Sequence, residues 1–166
     1  MESGLTEMKV VGIVVDPKAS NPVIVLVDLN GKKALPIWIG VFEAEAISRG
    51  LEGVVALRPM THDLIKQILD TFKVSLLRVV IHDLKENTFY ANLYLKIDGA
   101  ELVLDSRPSD AIALAVRLKA PIFVTEFVME ATKELGAFAS NLLKDQDELK
   151  TIIENMTPED FGKYKM

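Results

Sequence analysis

Hydrophobic and polar positions along this chain follow two rhythms, a strand rhythm and a helical one, and the change between them recurs. Met8 to Val15 is an apolar run of strand length, ended by Asp16-Pro17 and a polar turn through Pro22. Val23 to Leu29 reads as a second strand, and Asn30-Gly31 marks a hairpin into a third, Leu35 to Ile39, which holds the only tryptophan, Trp38. Gly40 breaks the pattern, and Val41, Ala44, Ile47 or Ser48, and Leu51 then fall at helical spacing. Gly50 and Gly53 close that helix. Arg58-Pro-Met-Thr-His-Asp-Leu64 opens another, with Thr61 as its N-cap and Leu64, Ile65, Ile68, Leu69 and Phe72 as its apolar stripe.

From Val74 the plan restarts. Val74 to His82 is a strand, Asp83 to Asn87 a turn, and Thr88 to Ile97 a strand of clear alternation, with Phe89, Ala91, Leu93, Leu95 and Ile97 on one face. Asp98-Gly99 signals a hairpin into Glu101 to Asp105. The helix expected over Pro108 to Leu118 is apolar nearly all round, the pattern of an element buried on several sides. Pro121 to Thr125 is a last strand. Sliding the chain by about 65 to 68 residues lays Asp16 near Asp83, Gly31 on Gly99, and Glu45-Ala-Ile47 on Asp110-Ala-Ile112. The pattern predicts an internally duplicated three-strand-plus-helix unit with mostly antiparallel sheets and packed helices, the α+β class. The repeats span about 8–72 and 74–125 of a domain covering 1–130, and 131–166 forms peripheral helices. Within these, Asp145-Gln-Asp-Glu148 is a capping-box pattern and Thr157-Pro-Glu-Asp160 a second helix start.

Composition narrows the setting. With 166 residues, nearly half of them hydrophobic, the chain is long enough for one well-buried core. It contains no cysteine, which excludes disulfides, thiolate metal sites and cysteine nucleophiles. The polar N-terminus is unlike a signal peptide and no apolar run approaches a membrane span, so the expected setting is soluble and cytoplasmic. A net charge of −5 argues against a broad polyanion-binding coat, less so against a local site.

Polar chemistry concentrates at the strand-to-helix junctions. Glu43 and Glu45 suit the positive end of a helix dipole and would serve as acid/base groups or metal ligands. Residues two apart on a helix point about 200° apart, so the pair does not converge on one ion unless the helix begins later, and Glu45 to Arg49 at i+4 is the structural alternative. His62 and Asp63 open a helix; His62 has the chemistry of a base or ligand near neutral pH, or of a plain first-turn residue. His82 reads as structural. Asp105-Ser-Arg-Pro-Ser-Asp110 is the densest polar cluster. It has the groups for a divalent cation and a phosphate. Equally, it is a self-contained knot, with Ser106 or Ser109 capping the helix and Arg107 paired to Asp105 or Asp110. No Walker loop, nucleophile elbow, zinc spacing or dinucleotide fingerprint is present.

Three motifs in order resemble a known family. They are Leu35-Pro-Ile-Trp-Ile-Gly40 with Glu43-Ala-Glu-Ala-Ile47, then Arg58-Pro-Met-Thr-His-Asp-Leu64, then Ser106-Arg-Pro-Ser-Asp-Ala-Ile-Ala-Leu-Ala115 with Pro121-Ile-Phe-Val124. Together they look like the bifunctional nuclease family, over about Lys9 to Met129. The resemblance implies hydrolysis of phosphodiester bonds in DNA and RNA, with a divalent metal, Mg2+ or Mn2+, as cofactor. It carries over no catalytic residues of its own, so the junctions supply the candidates. His62, Asp63, Glu43 and Glu45 are the catalytic set, Arg58, Arg107 and Ser109 hold substrate, and Asp105 and Asp110 ligate metal. Weak, salt-sensitive nucleic-acid binding and a homo-oligomer without membrane contact complete the expectation. The alternative is a non-catalytic oligomeric binding or regulatory module, associating through Phe89, Tyr90 and Tyr94, whose junctions bind a small anion or only hold the fold.

Overall fold

The computed structural model describes residues 4–154. Seven strands form one sheet in the order β3-β2-β1-β7-β4-β5-β6. The first meander is β1 (Leu5–Val15), β2 (Pro22–Asp28) and β3 (Ala34–Trp38); the second is β4 (Ser75–Lys85), β5 (Thr88–Ile97) and β6 (Ala100–Ser106). All neighbours within each meander are antiparallel. β7 (Ile122–Thr125) joins the two halves, antiparallel to β1 and parallel to β4. The architecture is the α+β class, and each meander leads into a helix: α1 (Val41–Glu52) and α3 (Pro108–Leu118).

Local chemistry accounts for the turns. Asp98 and Gly99 both adopt positive φ, 49° and 84°, the two-residue hairpin that matches strand twist. Glu86 and Asn87 do the same at 47° and 60°, so β4 runs on to Lys85 and the expected five-residue turn shrinks to two. Gly53, with φ of 65°, ends α1; Gly50 lies inside the helix instead of closing it.

Alternation along β2 divides two cores. Ile24 and Leu26 face a large core shared with Ile47, Ile81, Ala91 and Ile112. Val23 and Val25 face the other side, with Val14, Ala139 and Leu142. Each fully buried isoleucine contributes roughly 1.5–3 kcal/mol relative to exposure. α3 is buried almost throughout, from Pro108 and Ser109 through Ala111 to Ala115, as its all-round apolar sequence requires. α5 (Lys133–Glu154) follows the short α4 (Glu126–Ala131) and lies over the second face of the first meander. There Phe138 stacks on Trp38 at 5.8 Å, and the Trp38 indole Nε1 donates to Asp16 Oδ2 at 3.0 Å. The C-terminal helix thus supplies a core of its own. It also runs unbroken through Asp145, so Asp145 to Glu148 starts no helix there; Thr157 to Asp160 lie outside the described residues. Among the described residues no helix is long and apolar enough to cross a membrane.

Candidate active site

The site forms where the starts of three helices meet. Val41 and Pro108 open α1 and α3, so Glu43 and Asp110 hold the same third position of their helices. Sequence matching alone laid Glu45, not Glu43, on Asp110; the helix beginning directly after Gly40 shifts that equivalence by two. The third helix, α2 (Thr61–Thr71), has Met60 as N-cap in place of Thr61, because the Asp63 carboxylate reaches back to accept from the Met60 N–H at 3.0 Å.

Arg107 is the N-cap residue of α3, and its side chain bridges the helices that follow the two meanders. Its Nε and Nη2 donate to Asp110 Oδ2 and Oδ1 at 2.7 and 3.0 Å, while Nη1 donates to Glu43 Oε1 at 3.0 Å. This is a guanidinium fork on one carboxylate with a third arm on another. Asp110 and then Glu43 push the Arg107 pKa up. Neither Ser106 nor Ser109 caps α3; the Ser106 hydroxyl donates to the Arg107 carbonyl instead.

His62 completes the cluster. Its side chain is only 12% exposed, and Nε2 lies 2.9 Å from Asp110 Oδ1. Burial pushes the Asp110 carboxyl up, but hydrogen bonds from Arg107 and His62 outweigh it and hold it below its ordinary value. An ionised carboxylate only accepts, so Nε2 carries the hydrogen, and in the neutral form of the ring Nδ1 keeps its lone pair; this tautomer is inferred from the partner. The result is an imidazole oriented by an acid, with a basic nitrogen left over.

A residue without signal in the sequence motifs anchors this assembly. Arg117, in the last turn of α3, has a side chain only 8% exposed. It donates to Asp63 Oδ1 at 2.8 Å and to the carbonyls of Ala46 and Ala113 at 2.8 and 2.9 Å, tying α2, α1 and α3 together. A lone cation closing an apolar helix is the available clue, since a buried arginine must be paired. Asp63 is therefore occupied with Arg117 and the Met60 amide, and the Arg117 hydrogen bond lowers its pKa. Gly50 permits the close approach: a Cβ there would lie 2.6 Å from Val116 Cγ2 and 2.8 Å from Arg117 Nη1.

Beside the cluster a cleft of about 320 Å3 opens, with His62, Asp110, Arg107 and Glu43 on its wall and Phe42, Arg49 and Met60 around them. Glu45 also borders it, but its carboxylate takes Arg49, as the i+4 spacing anticipated, with Arg49 Nε donating at 3.0 Å. A second hollow of about 270 Å3 lies on the other side of Glu43 and Arg107, where Ser109 and Phe89 line it. Two candidates stand apart. Arg58 is exposed on the loop between α1 and α2, and Asp105 is exposed on β6 opposite Asn92; neither borders the cleft. Among the described residues no three His, Asp or Glu side chains are grouped to hold a metal ion.

A family model described as the bifunctional nuclease domain matches residues 24–135, a range that contains the whole cluster. The chain belongs to the bifunctional nuclease domain family. An uncharacterized protein of Mycobacterium tuberculosis strain H37Rv is 38% identical over 162 residues, covering 93% of this chain and 97% of its own. Bifunctional nuclease 1 of Arabidopsis thaliana is 32% identical over 118 residues, 66% of this chain but 35% of the plant protein. Bifunctional nuclease 2 of Oryza sativa subsp. japonica is 30% identical over 110 residues, again 64% of this chain and 34% of its own. The aligned region thus takes in about two thirds of this chain and about a third of each of these two plant proteins.

Proposed function

We propose that this bifunctional nuclease domain hydrolyses phosphodiester bonds of DNA and RNA at the His62–Asp110 dyad. The observation that carries the reading is the 2.9 Å contact between His62 Nε2 and Asp110 Oδ1 on the wall of an open cleft. Asp110 holds the imidazole in one tautomer, and Nδ1 takes a proton from water. The water oxygen bonds to phosphorus, the ester P–O bond breaks, and the proton on His62 passes to the departing oxygen. The Arg107 side chain is 64% exposed and so is able to turn from its carboxylates onto a phosphate.

A divalent cation, Mg2+ or Mn2+, is part of the proposal. Its support is that the Glu43 and Asp110 carboxylates both lie on the Arg107 guanidinium, and hard cations favour such oxygen donors. Glu43 and Asp110 would hold it, with Asp105 outside the set. When bound, the cation would supply Lewis-acid stabilisation of phosphoryl charge. A homo-oligomer in the cytoplasm belongs to the same reading, supported by Leu64, Ile68 and Phe72 left exposed along α2 and by the lack of cysteine.

The competing reading is a non-catalytic module whose polar junctions hold the fold or bind a small anion. It is favoured by the pairing of every acid around the cleft: Glu43 and Asp110 with Arg107, Glu45 with Arg49. Incubating the purified protein with labelled single-stranded DNA and RNA separates the two. Cleavage by the wild type that His62→Gln abolishes supports hydrolysis, and intact strands throughout support the module.

A further inference from the structure

The two hollows flanking Arg107 share a wall, because Glu43 and Arg107 border both. Each hollow also presents aromatic surface. On one side Phe42 is 84% exposed in the first turn of α1, with Arg49 lining the same cleft further along the helix. On the other are Phe89 and the edge of Trp38, which is 36% exposed, beside the exposed side chain of Asn87. Phe42 at the rim of this cleft adds nothing to the buried face of α1, which Ala44 and Ile47 supply.

The electrostatics of the cleft point the same way. Its guanidinium groups are matched by carboxylates, Arg107 with Glu43 and Asp110, and Arg49 with Glu45. The chain carries a net charge of −5. Phosphate attraction alone therefore gives little affinity for a polyanion, and the remainder must come from contacts that salt does not screen. Stacking of bases on exposed aromatic rings is such a contact, and it requires bases free of a partner strand.

We infer that the cleft takes single-stranded nucleic acid as a two-nucleotide step across Arg107, with an unpaired base stacked on Phe42 and its neighbour in the hollow beside Phe89. The inference rests on the proposed nuclease reading and specifies its substrate as unpaired strand. Duplex is excluded because its bases are not available to Phe42. The step places the phosphate between the two nucleosides at Arg107, within reach of the His62 wall.

Equilibrium binding in EDTA tests this with three fluorescent probes of equal length: a single-stranded oligonucleotide, its duplex, and a single strand made abasic throughout. The wild type binds the base-bearing strand at least about tenfold more tightly than either of the others. Phe42→Ala loses about tenfold on that strand at every salt concentration, and Phe42→Trp restores it. Equal binding of the abasic strand, or an unchanged affinity in Phe42→Ala, overturns the inference. A change of oligomeric mass in Phe42→Ala also overturns it, because Phe42 then serves a protein contact. Phe42-dependent binding by a protein that cleaves nothing keeps the strand site and removes the hydrolysis, whereas cleavage with unaltered KM in Phe42→Ala removes the strand site alone.

Discussion

His62 Nε2 and Asp110 Oδ1 lie 2.9 Å apart although 48 residues separate them in the chain, and the contact joins the start of α2 to the start of α3. Asp110 is held ionised there, so it orients the imidazole without competing for the proton. Asp110→Asn keeps the shape and removes the charge that fixes the tautomer. Cleavage of a labelled strand is expected to fall about 100-fold or more in Asp110→Asn, with the far-ultraviolet circular dichroism unchanged.

Arg107 pairs Glu43 with Asp110 at rest, and on the proposed reading it holds phosphate during turnover. Lysine supplies the charge but not the planar fork that reaches both carboxylates. Arg107→Lys is expected to raise KM and to lower kcat by about 100-fold. The salt dependence of strand binding, read as the slope of log affinity against log salt, is expected to flatten further in Arg107→Ala, which has one phosphate contact fewer.

Gly50 sets how closely α1 approaches α3. A Cβ there meets Val116 Cγ2 at 2.6 Å and Arg117 Nη1 at 2.8 Å, and Arg117 is held in place by three partners. Gly50→Ala is expected to cost about 1–3 kcal/mol, read as a lower Tm, and to reduce cleavage by displacing Glu43 from Arg107.

Acid stability follows from Asp63. The hydrogen bond from Arg117 holds its folded pKa below the ordinary 3.8. A carboxylate depressed on folding contributes stability that is fully present above its unfolded value and is lost as pH falls through the folded one. Thermal melts of the wild type are expected to be flat from about pH 7 to 5 and to drop below about pH 4. Asp63→Asn should melt lower at neutral pH, with a shallower acid limb.

Much of this arrangement was legible in the sequence, and the exceptions have physical causes. The bounds of α3 followed from Pro108 behind a strand and from its unbroken apolar face. The two-residue turn at Asp98-Gly99 followed from residues that tolerate positive φ. His62, Arg107, Glu43 and Asp110 stood out as residue types, but their convergence depends on how α1, α2 and α3 pack, which no local pattern encodes. Asp105 and Arg58 drew attention for the same compositional reasons and lie elsewhere, because alternation along β6 and the course of the α1–α2 loop decide their direction. The Asp145 pattern starts no helix because capping residue types also occur within a helix already under way from Lys133.

The cation belongs to the same test as the dyad. The most direct measurement is cleavage of a labelled single strand by wild type and His62→Gln, each in EDTA and again with Mn2+ added. The account predicts cleavage by the wild type that stops in EDTA and returns with Mn2+, and, with Mn2+ present, a loss of about 100-fold or more in His62→Gln at an unchanged Tm. Cleavage by His62→Gln at the wild-type rate would contradict it, because the dyad would then have no part in the chemistry.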